Sequence, residues 1–305
     1  MGYPDVRRVK IRGLMRRQDW PCGLKRSAVA AACLFGLIAL MAPSLSARPL
    51  DEVKASNLLR IIAYEDNRPF SWSEDGVAKG IDVDIGRALA SKLGVEAEII
   101  LRMQGEEVDD DLRANIWRGP LTGGPVGDVM LHVPIDKELV IRNKEAVMGS
   151  PYFEERVAIA VDPARTGETP GLDVFKRERI AVQLGTVADY FLMFYEGGAL
   201  RANISHFTKP KAGIESFLRK EVAGVMGVRS QIEGLLAQSS GTATFVEPPM
   251  PGIVRSSWSV GIAVKENSRD LYYAIGNVLA ELKSSGELAA IFSRHGVTFV
   301  PPTIR

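Results

Sequence analysis

The stretch that decides the fold of this chain is GIDVDIGRALASKLG, residues 80–94. Its apolar residues recur every four positions, which predicts an amphipathic helix over 82–93. Gly80 permits the turn into that helix and Gly94 ends it. The two aspartates of the first turn face the positive end of the helix dipole, where negative charge is stabilising.

Outward from this helix, short apolar runs alternate with amphipathic segments. The strands predicted before the first break in this pattern are 59–64, 95–101, 128–133 and 156–161. A linker containing Pro and Gly follows at 162–171, and the alternation then restarts. A second break comes at 248–252, after which Trp258–Val264 is predicted as a strand whose neighbours lie elsewhere in the chain. The fold class is therefore α/β.

Two breaks with α/β units on both sides indicate discontinuous domains. We predict a first lobe of residues 51–161 and 254–305, with residues 162–253 inserted as a second lobe. Two crossings between the lobes form a two-strand hinge and a cleft, which is a geometry for closing on a ligand.

Length and charge narrow the class of protein. The chain has 305 residues, more than one hydrophobic core usually supports, and its 46% hydrophobic and 25% charged residues are typical of globular proteins. Residues 1–47 carry eight Lys/Arg and two Asp/Glu, which leaves 30 basic and 35 acidic residues after them. A mildly acidic body argues against nucleic acid as a partner.

The basic excess belongs to a targeting segment. Eight Lys/Arg precede the apolar run 28–42, and small residues follow it, a pattern typical of a secretory signal peptide. Cleavage is expected after Ser46 or Ala47, and translation starts at Met1 or Met15. The alternative, a membrane anchor, is less favoured because the run is short for a bilayer. Both cysteines lie inside this segment, so we expect an exported, soluble periplasmic protein without disulfides and without stable membrane insertion after cleavage.

The helix stretch also resembles the signature of bacterial extracellular solute-binding proteins of family 3, which have the type II periplasmic-binding-protein fold. Its context adds to the resemblance, which covers essentially all of residues 51–300. The matching segments are Pro69-Phe70-Ser71, Gly127-Asp128-Val129, Ser150-Pro151-Tyr152, Leu184-Gly185-Thr186 and Glu281-Leu282-Lys283 with Gly286. The resemblance implies two lobes that close on a small molecule and present it to an ABC permease.

Two departures from the family pattern bear on the ligand. Amino-acid binders of this family carry an Arg after the Asp-Val strand for the ligand's carboxylate, whereas here no Arg occurs until Arg142. They also carry an Asp at the end of a strand of the second lobe, and the matching segment 225–229 has no carboxylate. A desolvated ammonium without a carboxylate is costly, so we expect a small polar or anionic ligand other than an ordinary α-amino acid.

The segment Asp128–Pro134 resembles a different branch of the family more closely. Members of that branch are encoded with periplasmic quinoprotein (PQQ-dependent) alcohol dehydrogenases of the methanol type and are thought to assist the enzyme. An accessory or maturation factor that docks such a dehydrogenase is therefore the alternative function.

Ligand contacts are expected at the carboxyl ends of strands and in the turns after them. The candidate residues on one wall of the cleft are Asn67, Arg68, Phe70, Trp72 and His132, and those on the opposite wall are Gly185, Thr186 and Arg229. Several have plain structural alternatives: Trp72 could pack on its own lobe, His132 could be a structural histidine, and Thr186 could only cap a helix. Arg229 begins a helix against the dipole, which predicts an anionic partner, either a ligand or a nearby carboxylate.

Signatures of catalysis are missing from the sequence. There is no Gly-x-Ser-x-Gly, His-Glu-x-x-His, Walker loop or Gly-x-Gly-x-x-Gly, so we predict a binding protein rather than an enzyme, with no cofactor and no metal. The acidic run 106–111 lacks the spacing of a calcium loop and is interpreted as a solvated loop.

Overall fold

The computed structural model describes residues 47–303, apart from 122, 240 and 254. The predicted signal peptide, residues 1–47, lies outside the described residues except for Ala47. The strands in chain order are β1 Leu58–Tyr64, β2 Trp72–Glu74, β3 Val77–Lys79, β4 Glu96–Arg102, β5 Val129–Pro134, β6 Ala146–Val161, β7 Ile180–Gln183, β8 Ile204–Phe207, β9 Gly224–Val228, β10 Thr244–Val246 and β11 Ser257–Lys265.

The α-helices come before, between and after these strands in the chain. They are α1 Leu50–Ala55, α2 Ile81–Leu93, α3 Val108–Leu112, α4 Lys137–Arg142, α5 Pro163–Thr166, α6 Val187–Phe194, α7 Pro210–Leu218, α8 Arg229–Gln238, α9 Arg269–Ser284 and α10 Glu287–Arg294. A π-helical turn continues α3 over Arg113–Trp117, and 3₁₀ turns lie at Leu172–Lys176, Tyr195–Gly197 and Arg201–Asn203. No helix of the described residues is both long enough and apolar enough to cross a bilayer.

Nine strands join in one sheet in the order β4-β1-β5-β11-β6-β9-β7-β8, with β10 paired to β6. In the first half β1 runs parallel to β4 and β5, and β11 runs antiparallel to β5. In the second half β7 runs parallel to β8 and β9. Parallel neighbours place the carboxyl ends of their strands at one edge, which is where ligands bind in open α/β sheets.

Strand β6 connects the two halves. Its residues Ala146–Arg156 pair with β11, and Val157–Val161 pair with β9. The sequence predicted only 156–161 as strand, because Ser150-Pro151 is typical of a turn. In the structure that dipeptide lies inside a 16-residue strand, and Ser150 has a left-handed conformation at φ 46°.

Hydrophobic cores lie on both sides of this connection. In the first half α2, α9 and α10 bury Leu89, Ile275 and Phe292 against the sheet. In the second half Phe175 and Met226 are buried in a separate cluster. The partly buried Trp258 packs against both clusters, so it lies where the two halves meet.

One local prediction differs from the structure. The acidic run is not a solvated loop: it contains α3, in which Asp111 is buried and accepts hydrogen bonds from the Tyr64 hydroxyl and the Gly105 N–H, both at 2.8 Å. Burial raises the pKa of the Asp111 carboxyl, and the two bonds partly offset that cost.

Candidate functional site

A polar cavity of about 270 Å³ lies where the two halves of the sheet meet. Strands and loops from the first half, the two connecting strands β6 and β11, and the start of α8 all contribute to it. Its lining residues are Tyr64, Asn67, Arg68, Phe70, Gln104, Val108, His132, Pro134, Glu155, Val228, Ser230, Gln231 and Trp258. The sequence-predicted residues Asn67, Arg68, Phe70 and His132 are therefore brought together.

The turn after β1 forms one wall of the polar cavity. Asn67 closes the turn, since its carbonyl accepts from the N–H of Phe70 at 2.8 Å and its N–H donates to Ser71 at 2.8 Å. The Arg68 guanidinium stacks 4.4 Å from the Trp72 ring centre, a cation–π distance that holds it at the cavity edge. Phe70 is almost fully buried, and its ring centre lies 4.2 Å from that of His132.

His132 lies within β5, two residues before its end, in a left-handed conformation at φ 61°. Its N–H donates to the Tyr152 hydroxyl at 3.0 Å, and that hydroxyl donates to Asp82 Oδ1 at 2.6 Å. Burial raises the pKa of Tyr152 well above its usual range, so the phenol keeps the proton that it donates to Asp82. Asp82 Oδ2 lies 3.1 Å from His132 Nδ1, which is an ion-pair distance rather than an aligned hydrogen bond. The signature aspartate of α2 thus fixes the orientation of the imidazole.

Glu155 of β6 is the buried acid of the cavity. It pairs in register with Trp258 of β11, and its carboxyl accepts from the Ser230 hydroxyl and from the Arg156 N–H at 2.9 Å. Burial raises the pKa of Glu155 to about 7, against the opposing effect of these bonds and of nearby His132. A carboxyl that titrates near neutrality in a cleft is a candidate ligand contact.

An apolar pocket of about 140 Å³ lies in the second half, at the carboxyl ends of β7, β8 and β9. Its lining is Val157, Val182, Gln183, Thr186, Val187, Ala188, Phe207, Pro210, Gly213, Ile214, Val225, Met226, Gly227, Val228, Gln231, Ile232 and Trp258. Val228, Gln231 and Trp258 also line the polar cavity, so the two spaces share a border.

Four predicted site residues lie outside the polar cavity. Trp72 is buried between Arg68 and His295, whose ring centre is 6.1 Å away. Gly185 donates its N–H to Asp189 at 2.8 Å. Thr186 caps α6, accepting from the N–H of Asp189 at 3.3 Å, and it lines the apolar pocket.

Arg229, the fourth of these residues, has the anionic partner that its position predicted. Its guanidinium donates to Glu233 at 2.9 Å and to Glu247 at 2.7 Å. Both partners are carboxylates of the chain itself. Ligand contact by Trp72, Gly185, Thr186 and Arg229 stays a prediction.

Several lining residues were missed by the sequence reasoning. Gln104 follows the end of β4, and Ser230 with Gln231 follow β9, so the rule about carboxyl ends of strands could have found them. Glu155 carried no such signal. Its place depends on how far β6 extends and on its register with β11, which short-range patterns do not reveal.

Among the described residues, no group of three or more His, Cys, Asp or Glu side chains could hold a metal ion. The chemistry that the site offers is that of one guanidinium, one histidine, one titratable carboxyl and three side-chain amides. Such groups bind and orient a small polar molecule by hydrogen bonds and charge.

No family model matches the chain. The L-cystine-binding protein TcyJ of Escherichia coli strain K12 is 23% identical over 246 residues, covering 79% of this chain and 84% of that protein. An ancestral cationic amino acid solute-binding protein, AncCDT-1, has a TM-score of 0.64 at 20% identity over 81% of this chain and 99% of its own. The second substrate-binding domain of Lactococcus lactis GlnP, in an open conformation, has a TM-score of 0.57 at 20% identity over 78% and 95% of the two chains.

These relatives and neighbours are binding proteins. The likeness shows that the chain has the two-lobed type II periplasmic-binding-protein fold, as the sequence resemblance predicted.

Proposed function

We propose that this chain, which has the type II periplasmic-binding-protein fold, is an exported solute-binding protein that closes its two lobes on a small polar molecule. The observation that carries the proposal is the polar cavity at the junction of the two halves. First-half residues such as Arg68 and His132 face second-half residues such as Ser230 across it. A solute that contacts both walls stabilises the closed form through its differential affinity for that form.

The two lobes are taken as residues 51–161 with 254–305, and residues 162–253. This division is supported by the separate hydrophobic clusters on either side of β6 and by the position of Trp258 between them. The proposed cellular location is the periplasm, and the proposed partner is an ABC permease that receives the solute. The signal-peptide pattern and the binding proteins among the relatives favour this placement.

We further propose that the solute is amino-acid-like and is held by unusual anchors. The named relatives bind L-cystine or cationic amino acids, which favours this class. The Arg and Asp of the family's amino-acid binders are absent from the matching positions of this sequence, and the polar cavity offers Arg68 for an anion and Glu155 for an ammonium instead. The expectation that ordinary α-amino acids bind weakly stays a prediction.

Thermal unfolding of the mature protein in the presence of single solutes tests the proposal. The set includes the twenty common amino acids, L-cystine, and small amines and carboxylates. A solute at 100 times its Kd adds about 2.7 kcal/mol to the free energy of unfolding, which raises the midpoint by a few degrees. Titration calorimetry then gives Kd for each solute that shifts the midpoint.

A matched pair of arginine variants assigns the site. Arg68→Ala removes a charge that lines the cavity and is expected to raise Kd about tenfold or more, since a charged hydrogen bond contributes about 1.5–3 kcal/mol. Arg87→Ala removes a half-exposed arginine on α2 and is expected to leave Kd unchanged. Equal Kd values for both variants would exclude the polar cavity as the binding site.

The accessory function is the second candidate, and it rests on the resemblance of Asp128–Pro134 to the quinoprotein-associated branch. The names of the relatives give it no support. It predicts no solute-dependent midpoint shift and a stable complex with a purified periplasmic quinoprotein dehydrogenase. The solute screen and size-exclusion chromatography of the mixture therefore separate the two functions.

A further inference from the structure

We infer that the solute is amphipathic: its polar groups occupy the polar cavity, and an apolar group about the size of a benzene ring occupies the apolar pocket of the second half. This inference rests on the proposed function and narrows the class of solute. It is carried by the composition of the apolar pocket, by the border that it shares with the polar cavity, and by its size.

Composition is the first argument. The side chains that line the apolar pocket come from the ends of β7, β8 and β9, from the starts of α6, α7 and α8, and from β6 and β11, and none of them is charged. The polar members are Gln183, Thr186 and Gln231. The Thr186 hydroxyl donates to the Gln183 carbonyl at 2.8 Å and accepts from the Asp189 N–H at 3.3 Å, so it is already satisfied. Water would find few partners in such a lining, whereas an apolar group loses nothing by entering it.

The shared border is the second argument. Val228, Gln231 and Trp258 line both spaces, so a single small molecule can reach from one into the other. Glu155 lies on the polar side and pairs in register with Trp258. A solute whose amine meets Glu155 therefore lies beside Trp258, which also lines the apolar pocket.

Size is the third argument. The apolar pocket measures about 140 Å³. An engineered protein cavity of about 150 Å³ lined by Leu, Ile and Phe stays dry and binds benzene. The apolar pocket therefore matches a phenyl ring or a branched alkyl chain, and a fused double ring exceeds it.

The test uses three series in which the head group is constant and the apolar tail grows. The first is glycine, alanine, valine, leucine, phenylalanine and tryptophan; the second is linear and aryl primary amines; the third is the matching carboxylates. In at least one series we expect Kd to fall about fourfold per added methylene, which is 0.8 kcal/mol at 1.4 kcal/mol per tenfold. The gain ends at the phenyl compound, and the indole compound binds more weakly.

A glycine-to-valine pair locates the effect. Gly227 lines the apolar pocket, and an added Cβ meets Ile232 at an ordinary 3.7 Å, so the Cβ of Gly227→Val fits there and its two methyl groups take up space in the pocket. It is expected to remove the gain from the longer tails while leaving the short members unchanged. Gly171→Val, whose added Cβ meets nothing within 4 Å, is the control and is expected to leave the whole series unchanged.

The outcomes separate the inference from the function on which it rests. If a polar solute such as arginine or glutamate binds, yet no series gains affinity with tail length, the inference is overturned and the proposed function stands. A gain that persists in Gly227→Val also overturns it, because the tail then lies elsewhere. If no member of any series and no polar solute binds, the proposed function itself fails.

Discussion

Glu155 has an environment unlike that of an ordinary surface acid. Its carboxyl lies at the junction of the two halves, almost fully buried, and burial raises its pKa from 4.5 to about 7. The Ser230 hydroxyl and the Arg156 N–H donate to it, yet no cation forms an ion pair with it among the described residues. A protonated Glu155 is therefore stable in the folded protein at mildly acidic pH.

This pKa predicts how stability changes with pH. Between pH 4.5 and about 7 the folded protein keeps the Glu155 proton, whereas the unfolded chain has released it. The contribution of Glu155 to the free energy of unfolding is therefore fully present below pH 4.5 and is lost as pH rises through about 7. At 1.36 kcal/mol per pKa unit, the loss is about 3 kcal/mol.

Urea unfolding of Glu155→Gln at pH 5 and pH 8 measures this loss. The variant has no proton to release, so its fall in stability between the two pH values is expected to be smaller than that of the native protein by about 3 kcal/mol. Glu154→Gln, a change of the neighbouring buried acid that accepts from Ser259 at 2.6 Å, serves as the control and should not reproduce the effect. Parallel pH profiles for the native protein and Glu155→Gln would contradict the assignment.

At the scale of elements, the sequence predicted what depends on short-range periodicity. Helix α2, predicted over 82–93, is observed over Ile81–Leu93, and Gly94 ends it in a left-handed conformation at φ 71°. Strand β1 was predicted over 59–64 and is Leu58–Tyr64. The apolar residues of α2 repeat every four positions because one face of the helix is buried, and those of β1 form a run because both faces of the strand are buried. Each pattern can therefore be recognised from the local sequence alone.

What the sequence missed depends on partners far away in the chain. The strand prediction did not include the first ten residues of β6, because pairing with β11, about a hundred residues later, is what holds Ser150-Pro151 in the strand. The polar character of α3 likewise suggested a solvated loop, although the Tyr64 hydroxyl partners the buried Asp111. Glu155 lies in the polar cavity because of the same long-range register between β6 and β11.

The backbone conformation of Gly80 affects both the start of α2 and the turn after β1, which forms one wall of the polar cavity. Its φ is 126°, and an added Cβ would lie 2.2 Å from the Phe70 carbonyl oxygen. That contact is with backbone, so Gly80→Ala must displace either the start of α2 or the turn that carries Arg68. Gly94 also has a positive φ, 71°, but an added Cβ there meets nothing within 4 Å.

The pair Gly80→Ala and Gly94→Ala therefore separates a clash from conformational strain. Gly94→Ala is expected to cost about 1 kcal/mol, the ordinary penalty of a left-handed alanine. Gly80→Ala is expected to cost roughly three times as much, since it adds a backbone clash to the strain. Denaturant unfolding gives both values. Equal losses of stability in the two variants would mean that the turn at 67–70 moves away from the added Cβ at no cost in free energy.

At the scale of the whole molecule, the two halves touch at helix α8. An added Cβ at Gly234 of α8 would lie 2.7 Å from Pro69 Cβ, which belongs to the turn of the first half. The Thr298 N–H, near the carboxyl end of the described chain, donates to Glu233 of the same helix at 2.8 Å. These contacts lie beside the polar cavity and hold α8 against the first half. The glycine is thus a spacer that lets the two halves approach.

Gly234→Ala is expected to shift the molecule toward an open form. The added methyl group blocks the approach of Pro69. The chain crosses between the halves within β6 and again before β11, so rotation about these crossings relieves the clash more readily than rearrangement inside a packed core. Small-angle X-ray scattering should then give a larger radius of gyration, and the apparent Kd for any solute should rise because less protein is in the binding-competent form. Gly171→Ala is the control: Gly171 lines neither the polar cavity nor the apolar pocket, and its added Cβ meets nothing within 4 Å. An unchanged radius of gyration in Gly234→Ala, accompanied by a large loss of stability, would show that the halves cannot separate and that the clash is absorbed within α8.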